Sequence, residues 1–206
     1  MLITKFQRFA LRCGAAFLAL WIAAPSAMAG SPSEVVETFH QSLLDVMKSA
    51  TELKLRGRYE RLSPPIEGTF NLPVMIQIAS GAKWKGASDE EKAKLIEAFT
   101  RVSVGTYAAR FDGFSGEKFE TLSEQDGPSG SRLVLTRIVR PNKEAVPLTY
   151  VTRKFSEDWR VVDVIVSGGI SELAVRRSEY NTILNDGGPR ELIARLNQKA
   201  DQILAN

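Results

Sequence analysis

Asp163 is the acid best placed for chemistry in this sequence. It stands inside the run Trp159-Arg160-Val161-Val162-Asp163-Val164-Ile165-Val166 and breaks the apolar parity of Trp159, Val161 and Ile165. A carboxylate enclosed by apolar side chains loses hydration of its charged form, and its pKa rises toward values that suit proton transfer. The same residue could instead face solvent at a sheet edge, or pair with an arginine such as Arg137 or Arg153 on a neighbouring strand. His40 is the only histidine, so no histidine-rich metal site can form, and any Ser-His-Asp arrangement would have to be built around it. Its neighbours Val36, Leu43 and Leu44 put it at the edge of an apolar helix face. Arg56, Arg58, Arg61, Arg153, Lys154, Arg176 and Arg177 are candidate cations for an anionic headgroup or an acidic partner, and each is equally readable as part of a solvated face. Neither GxGxxG nor GxxxxGK[ST] occurs, so no nucleotide site is indicated.

The elements that must position these groups begin after residue 29. Lys5, Arg8 and Arg12 form a basic start, Ala15 to Ala24 an apolar core, and Ala27-Met28-Ala29 a small-x-small cleavage site. This is the pattern of a secretory signal peptide, residues 1–29, and predicts export to the periplasm. The apolar stretch is shorter than the roughly 20 residues needed to span a bilayer, and Pro25 interrupts it. Loss of the segment changes the electrostatics. The whole chain carries 27 Lys+Arg against 24 Asp+Glu. Three of those cations and none of the acids lie in residues 1–29, so the mature charges balance. No whole-molecule field remains to attract nucleic acid. The only cysteine, Cys13, leaves with the same segment, which removes disulfides, thiol nucleophiles and thiolate metal sites from the expectation. No cofactor is indicated.

Val35, Val36, Phe39, Leu43, Val46 and Met47 recur at helical spacing from Pro32 onward. The spacing predicts an interruption around Arg56-Gly57-Arg58 and a break at Ser63-Pro64-Pro65. Phe70 to Ala79 reads as a helix apolar nearly all round, with Pro73 in its first turn and Gly81 past its end, so it must be enclosed. Ser88-Asp89-Glu90-Glu91 is a capping box that opens a helix to about Ala109, with Ser103 and Tyr107 beside its main apolar stripe. Gly105 inside that helix costs about 1 kcal/mol relative to alanine, which predicts a close backbone approach or a bend.

From Glu117 the period changes to that of strands: Lys118 to Leu122, Arg132 to Arg140, Val146 to Phe155 and Trp159 to Val166. Two helices close the chain, one capped by Ser171 and stopped at Asp186-Gly187-Gly188, the other opened by Pro189. The order predicts an α+β fold with an antiparallel four-stranded meander between N-terminal and C-terminal helices. Leu133, Leu135, Leu148, Tyr150, Val162, Val164 and Val166 suggest apolar side chains on both faces of several strands. Either helices cover both faces, or the sheet curls around an apolar cavity.

The stretch Trp159 to Val164, followed by Ser167-Gly168-Gly169-Ile170-Ser171, Arg176-Arg177-Ser178-Glu179-Tyr180, Gly187-Gly188 and Glu191-Leu192-Ile193, resembles the C-terminal signature of the toluene-tolerance family. These are the periplasmic phospholipid-binding components of Mla-type ABC transport systems. Phe70 to Gly81 with Trp84, the Ser88 helix start, and Tyr107 to Phe111 before Phe114-Ser115-Gly116-Glu117 are similar to the same family. One departure stands out: the family usually has a single glycine where this chain has Gly168-Gly169, which implies a displaced or more flexible junction.

The resemblance implies that residues 30–206 form a single lipid-binding domain with acyl chains in an apolar cavity and the headgroup near its mouth. It implies no catalytic group. The implied partners are a phospholipid or hopanoid-type lipid, an inner-membrane ABC transport complex and an outer-membrane lipoprotein complex. The residues expected to line the lipid are Met75, Ile78, Val102, Leu133, Leu135, Tyr150, Val162, Val164 and Ile170. Arg153, Arg176 and Arg177 are expected at a headgroup or partner. A small-cavity enzyme using Asp163 as acid and base is the alternative.

Overall fold

The computed structural model describes residues 30–205, so the signal-peptide expectation for residues 1–29 lies outside the described residues. Helices α1 (Pro32–Lys48), α2 (Ala50–Thr69), α3 (Leu72–Ser80), α4 (Lys83–Gly86) and α5 (Asp89–Arg110) come first. Strands β1 (Lys118–Asp126), β2 (Arg132–Arg140), β3 (Lys143–Phe155), β4 (Asp158–Val166) and β5 (Ile170–Ser171) follow, and α6 (Glu172–Leu204) closes the chain. The strands pair in sequence order, antiparallel throughout, which is the α+β meander the periodicity predicts with a two-residue fifth strand added at one edge. Gly168 and Gly169 make the turn into that strand with φ of 82° and 77°, a region open to glycine and costly for residues with a Cβ.

Capping is locally encoded. Ser31 with Glu34 and Ser88 with Glu91 form complete capping boxes at α1 and α5, and Asn71 accepts from the Val74 amide at α3. Gly105 answers to a close approach: a Cβ there would lie 3.3 Å from Ile203 Cγ2, where the end of α6 packs across α5. The second half of α6 bends back after Gly188, whose φ is 68°, and Pro189 restarts the helix as the sequence predicts.

The Arg56-Gly57-Arg58 and Ser63-Pro64-Pro65 interruptions are corrected. Helix α2 runs through both, and its break falls earlier, at Lys54, with φ 53° and ψ −176°. The two prolines each remove a helical hydrogen bond, yet Leu62 and Ile66 on either side of them are fully buried. Burial of two such side chains contributes about 1.5–3 kcal/mol each and holds the segment helical against the core.

Arg58 ties the start of α2 to the end of α5. Its buried guanidinium donates from Nε to the Ala108 carbonyl at 2.8 Å and from Nη1 to the Ala50 carbonyl at 3.2 Å. Ala108 lies in the last turn of α5, where carbonyls lack helical partners and the dipole favours a cation. Arg58 is therefore committed to the fold and cannot serve a headgroup. Arg58→Leu, which removes both hydrogen bonds, is expected to lower unfolding free energy by about 3 kcal/mol. The check is a urea midpoint shift at unchanged m-value.

Candidate functional site

The helices pack on one face of the sheet, and the register identifies which residues form it. Val134, Thr136 and Ile138 of β2 lie opposite Tyr150, Leu148 and Val146 of β3. Between β3 and β4 the register slips: Thr152 pairs with Val161 and Val151 with Asp163, so Val162 is an extra residue, a β-bulge. The core-facing set on β4 thus changes parity, from Val161 before the bulge to Val164 and Val166 after it. This is why both parities of the strand read as apolar. It also corrects Val162, which is buried at the bulge and not among the residues bordering the cavity.

Between this face and helices α2, α3, α5 and α6 lies a cavity of about 250 Å³. Its sheet wall is Ile138, Val146, Leu148, Tyr150, Val164 and Val166. Its helical wall is Ile66, Phe70, Leu72 and Met75 from the first helices, with Ser103, Thr106, Tyr107 and Phe111 from α5 and the chain just after it. The mouth carries the charges: Arg110, Glu172 and Arg176. These three and Thr106 also border an outer groove of about 670 Å³ between α5 and α6. Arg110 Nη1 stands 3.7 Å from Glu172 Oε1 across that mouth. A partly exposed pair of this kind is worth about 0–1 kcal/mol, little enough for an entering anion to replace it. Arg176 lies over the Phe99 ring at 5.3 Å and donates to the Tyr180 hydroxyl at 3.4 Å.

Met75, Tyr150, Val164 and Arg176 are the expected site residues that border the cavity. Val102 is buried on α5 and borders the outer groove. Ile78 is half-buried on α3 and off the cavity wall. Leu133 and Leu135 pair with Val151 and Thr149 on the opposite sheet face, because they are out of phase with Val134 and Thr136. Ile170 is exposed in β5. Arg153 pairs with Arg160 across β3 and β4, and its buried Nε has no partner among the described residues. Arg177 points away from the mouth toward Gly81, at the end of α3. Ser103, Tyr107, Arg110 and Glu172 complete the site without having been singled out for it.

Asp163 is outside the cavity wall. Its Oδ1 accepts from the Val164 amide at 2.8 Å and the Leu173 amide at 3.0 Å, and its Oδ2 accepts from the Ser171 hydroxyl at 2.6 Å. The carboxylate thus holds the first turn of α6, and the pairing with Arg137 or Arg153 is replaced by this cap. Among the described residues no group of three His, Cys, Asp or Glu could hold a metal ion, and no helix is long and apolar enough to cross a membrane.

The MlaC protein family model matches residues 37–198. The chain belongs to the MlaC protein family. Among solved structures, a phospholipid-binding protein from Ralstonia solanacearum, determined in complex with a phospholipid, matches with a TM-score of 0.76 at 20% identity. The match covers 86% of this chain and all of that one. At this identity the likeness establishes a shared fold. No curated protein matches the sequence.

The cavity wall is stiffened from behind. His40 Nε2 is 3.0 Å from the Tyr150 hydroxyl, and its ring stacks on Phe119 with centroids 4.1 Å apart. Burial lowers the His40 pKa from 6.5 to about 4. The same burial pushes the Tyr150 phenol well above its ordinary value. Unfolded chain takes up a proton at His40 near pH 6.5 and folded chain only near pH 4, so stability falls as pH drops through this window. The contribution is about 3 kcal/mol. In His40→Gln, which cannot titrate, that part of the acid destabilisation is expected to vanish from denaturation curves taken between pH 7 and 4.

Proposed function

We propose that this protein is a lipid carrier: it holds the hydrocarbon of a lipid between sheet and helices and keeps the polar end at the mouth. The observation that carries the reading is the cavity itself, apolar on its sheet and inner helical walls, with charge confined to Arg110, Glu172 and Arg176 at its opening. That gradient matches a molecule with an anionic head and an oily body. Each buried methylene contributes about 0.8 kcal/mol, so a chain of about a dozen carbons supplies roughly 10 kcal/mol before ordering costs. The cavity alone is just under the range of about 300–1,000 Å³ usual for small-molecule pockets, and the groove that shares its rim residues offers a place for a larger lipid to extend outward. The phospholipid in the Ralstonia solanacearum relative supports a phospholipid as cargo. A hopanoid-type lipid is the alternative cargo.

In this reading residues 1–29 direct export and are cleaved, and residues 30–206 act as one domain in the periplasm. The carrier passes lipid between an inner-membrane ABC transport complex and an outer-membrane lipoprotein complex. Tight hydrocarbon burial makes spontaneous release slow, so delivery requires a partner that favours an opened state. No covalent chemistry is required of any side chain.

Native mass spectrometry of protein purified without detergent is expected to show a bound species of lipid mass, with fragmentation separating phospholipid from polycyclic cargo. Val166→Trp, at a half-buried cavity position, is expected to cut lipid occupancy at least about tenfold while leaving the circular dichroism spectrum unchanged, since the added ring takes the space of the ligand. Wild-type protein that carries no lipid and accepts none from vesicles contradicts the reading.

A further inference from the structure

Ser103 and Tyr107 are one turn apart on α5, and both side chains border the cavity. Among the described residues neither hydroxyl has a hydrogen-bond partner. Other hydroxyls of the fold show both patterns, and Thr69, as buried as Ser103, is also without a partner among the described residues. Thr136 donates to the Leu148 carbonyl, Thr152 to the Arg132 carbonyl and Thr106 to the Val102 carbonyl, while Tyr150 meets His40 and Tyr180 meets Arg176. Ser80, a fully buried hydroxyl without a partner, is off the cavity wall. Both hydroxyls border the cavity without a partner in the chain, so an acceptor on a molecule bound there would meet two donors that otherwise see only solvent.

The Tyr107 ring is also held in place. It meets Phe39 edge-on at 5.5 Å, lies 5.7 Å from Phe70 and stacks on Phe111 at 5.8 Å. Its phenol is pushed upward by burial, with Arg176 opposing the rise, and so stays a neutral donor. Along the helix axis Arg110 is about 4.5 Å from Tyr107, and Ser103 lies about 6 Å further in. The polarity therefore runs from cation at the rim, to hydroxyl donors, to hydrocarbon floor. A glycerol diester lipid has the same order: anionic phosphate, ester carbonyls a few bonds away, then chains. A free fatty acid ends in its only polar group and would leave the inner donors unpaired.

We propose that the Ser103 and Tyr107 hydroxyls recognise the ester carbonyl oxygens of a glycerol diester lipid and so select it over lipids with the same head and chains but no carbonyl. The inference rests on the carrier reading and goes beyond it to the part of the lipid that is recognised. A site built to hydrogen-bond an oxygen rejects an analogue lacking it, because its own donors are then stranded.

The test uses delipidated full-length mature protein and two probes, dipalmitoyl phosphatidylglycerol and its dialkyl ether counterpart, in competition read by native mass spectrometry. Wild type is expected to prefer the diester by about tenfold. Ser103→Ala and Tyr107→Phe should each reduce that preference, and the double variant should bring it within about twofold while ether binding is retained. Equal binding of both probes by wild type, or a preference that survives in the double variant, overturns the proposal and leaves the carrier reading standing. Failure of both probes to bind overturns both.

Discussion

The Asp163 carboxylate joins the sheet to the last helix, and the arrangement of the cavity mouth depends on that junction. It accepts two backbone amides and the Ser171 hydroxyl, while Ser171 itself caps the Ala174 amide. A negative charge at a helix N-terminus is favourable because the first amides of the helix have no acceptors of their own. The cap fixes where α6 starts, and with it the positions of Glu172 and Arg176 at the opening. From there α6 runs along α5, bends at Gly188 and returns to pack Ile203 against Gly105. The acid that looks most reactive in the sequence is thereby accounted for as the peg that sets the mouth.

Within the frame, chemistry is graded by depth. The outer ion pair between Arg110 and Glu172 is weak and accessible, the hydroxyls lie below it, and aliphatic and aromatic side chains close the floor. The wall is firm where an acyl chain would press on it. Tyr150 is backed by His40, His40 by Phe119, and Tyr107 sits among three phenylalanines. In the proposed carrier, a stiff wall with a weakly paired entrance would take cargo at one end.

Much of the fold was legible in the sequence because its signals are local. Capping residues at Ser88, the proline and glycine around α3, and the switch from helical to alternating spacing near Glu117 each act over a few residues. The α2 segment was misread because Pro64 and Pro65 are local breakers overruled by the burial of Leu62 and Ile66, which depends on partners far away in sequence. The cavity wall was legible in part. Tyr150 and Val164 were expected on it, but Leu133, Leu135 and Val162 were not recoverable by parity. One bulge reverses the inward phase on β4, and on β2 the apolar Leu133 and Leu135 alternate with the inward Val134 and Thr136. The Arg110–Glu172 contact joins the end of α5 to the start of α6 across the whole sheet, and nothing in either segment announces it.

The central claim is that hydrocarbon from a lipid completes the interior between the sheet's core face and the helices. Intermolecular NOE measurements on protein loaded with protonated lipid, with methyl groups labelled on the protein, address it directly. The account predicts cross-peaks from acyl methylenes to the methyl groups of Met75, Leu148, Val164 and Val166. Cross-peaks confined to Leu133 and Leu135 on the opposite face, or to exposed Ile170, would contradict it.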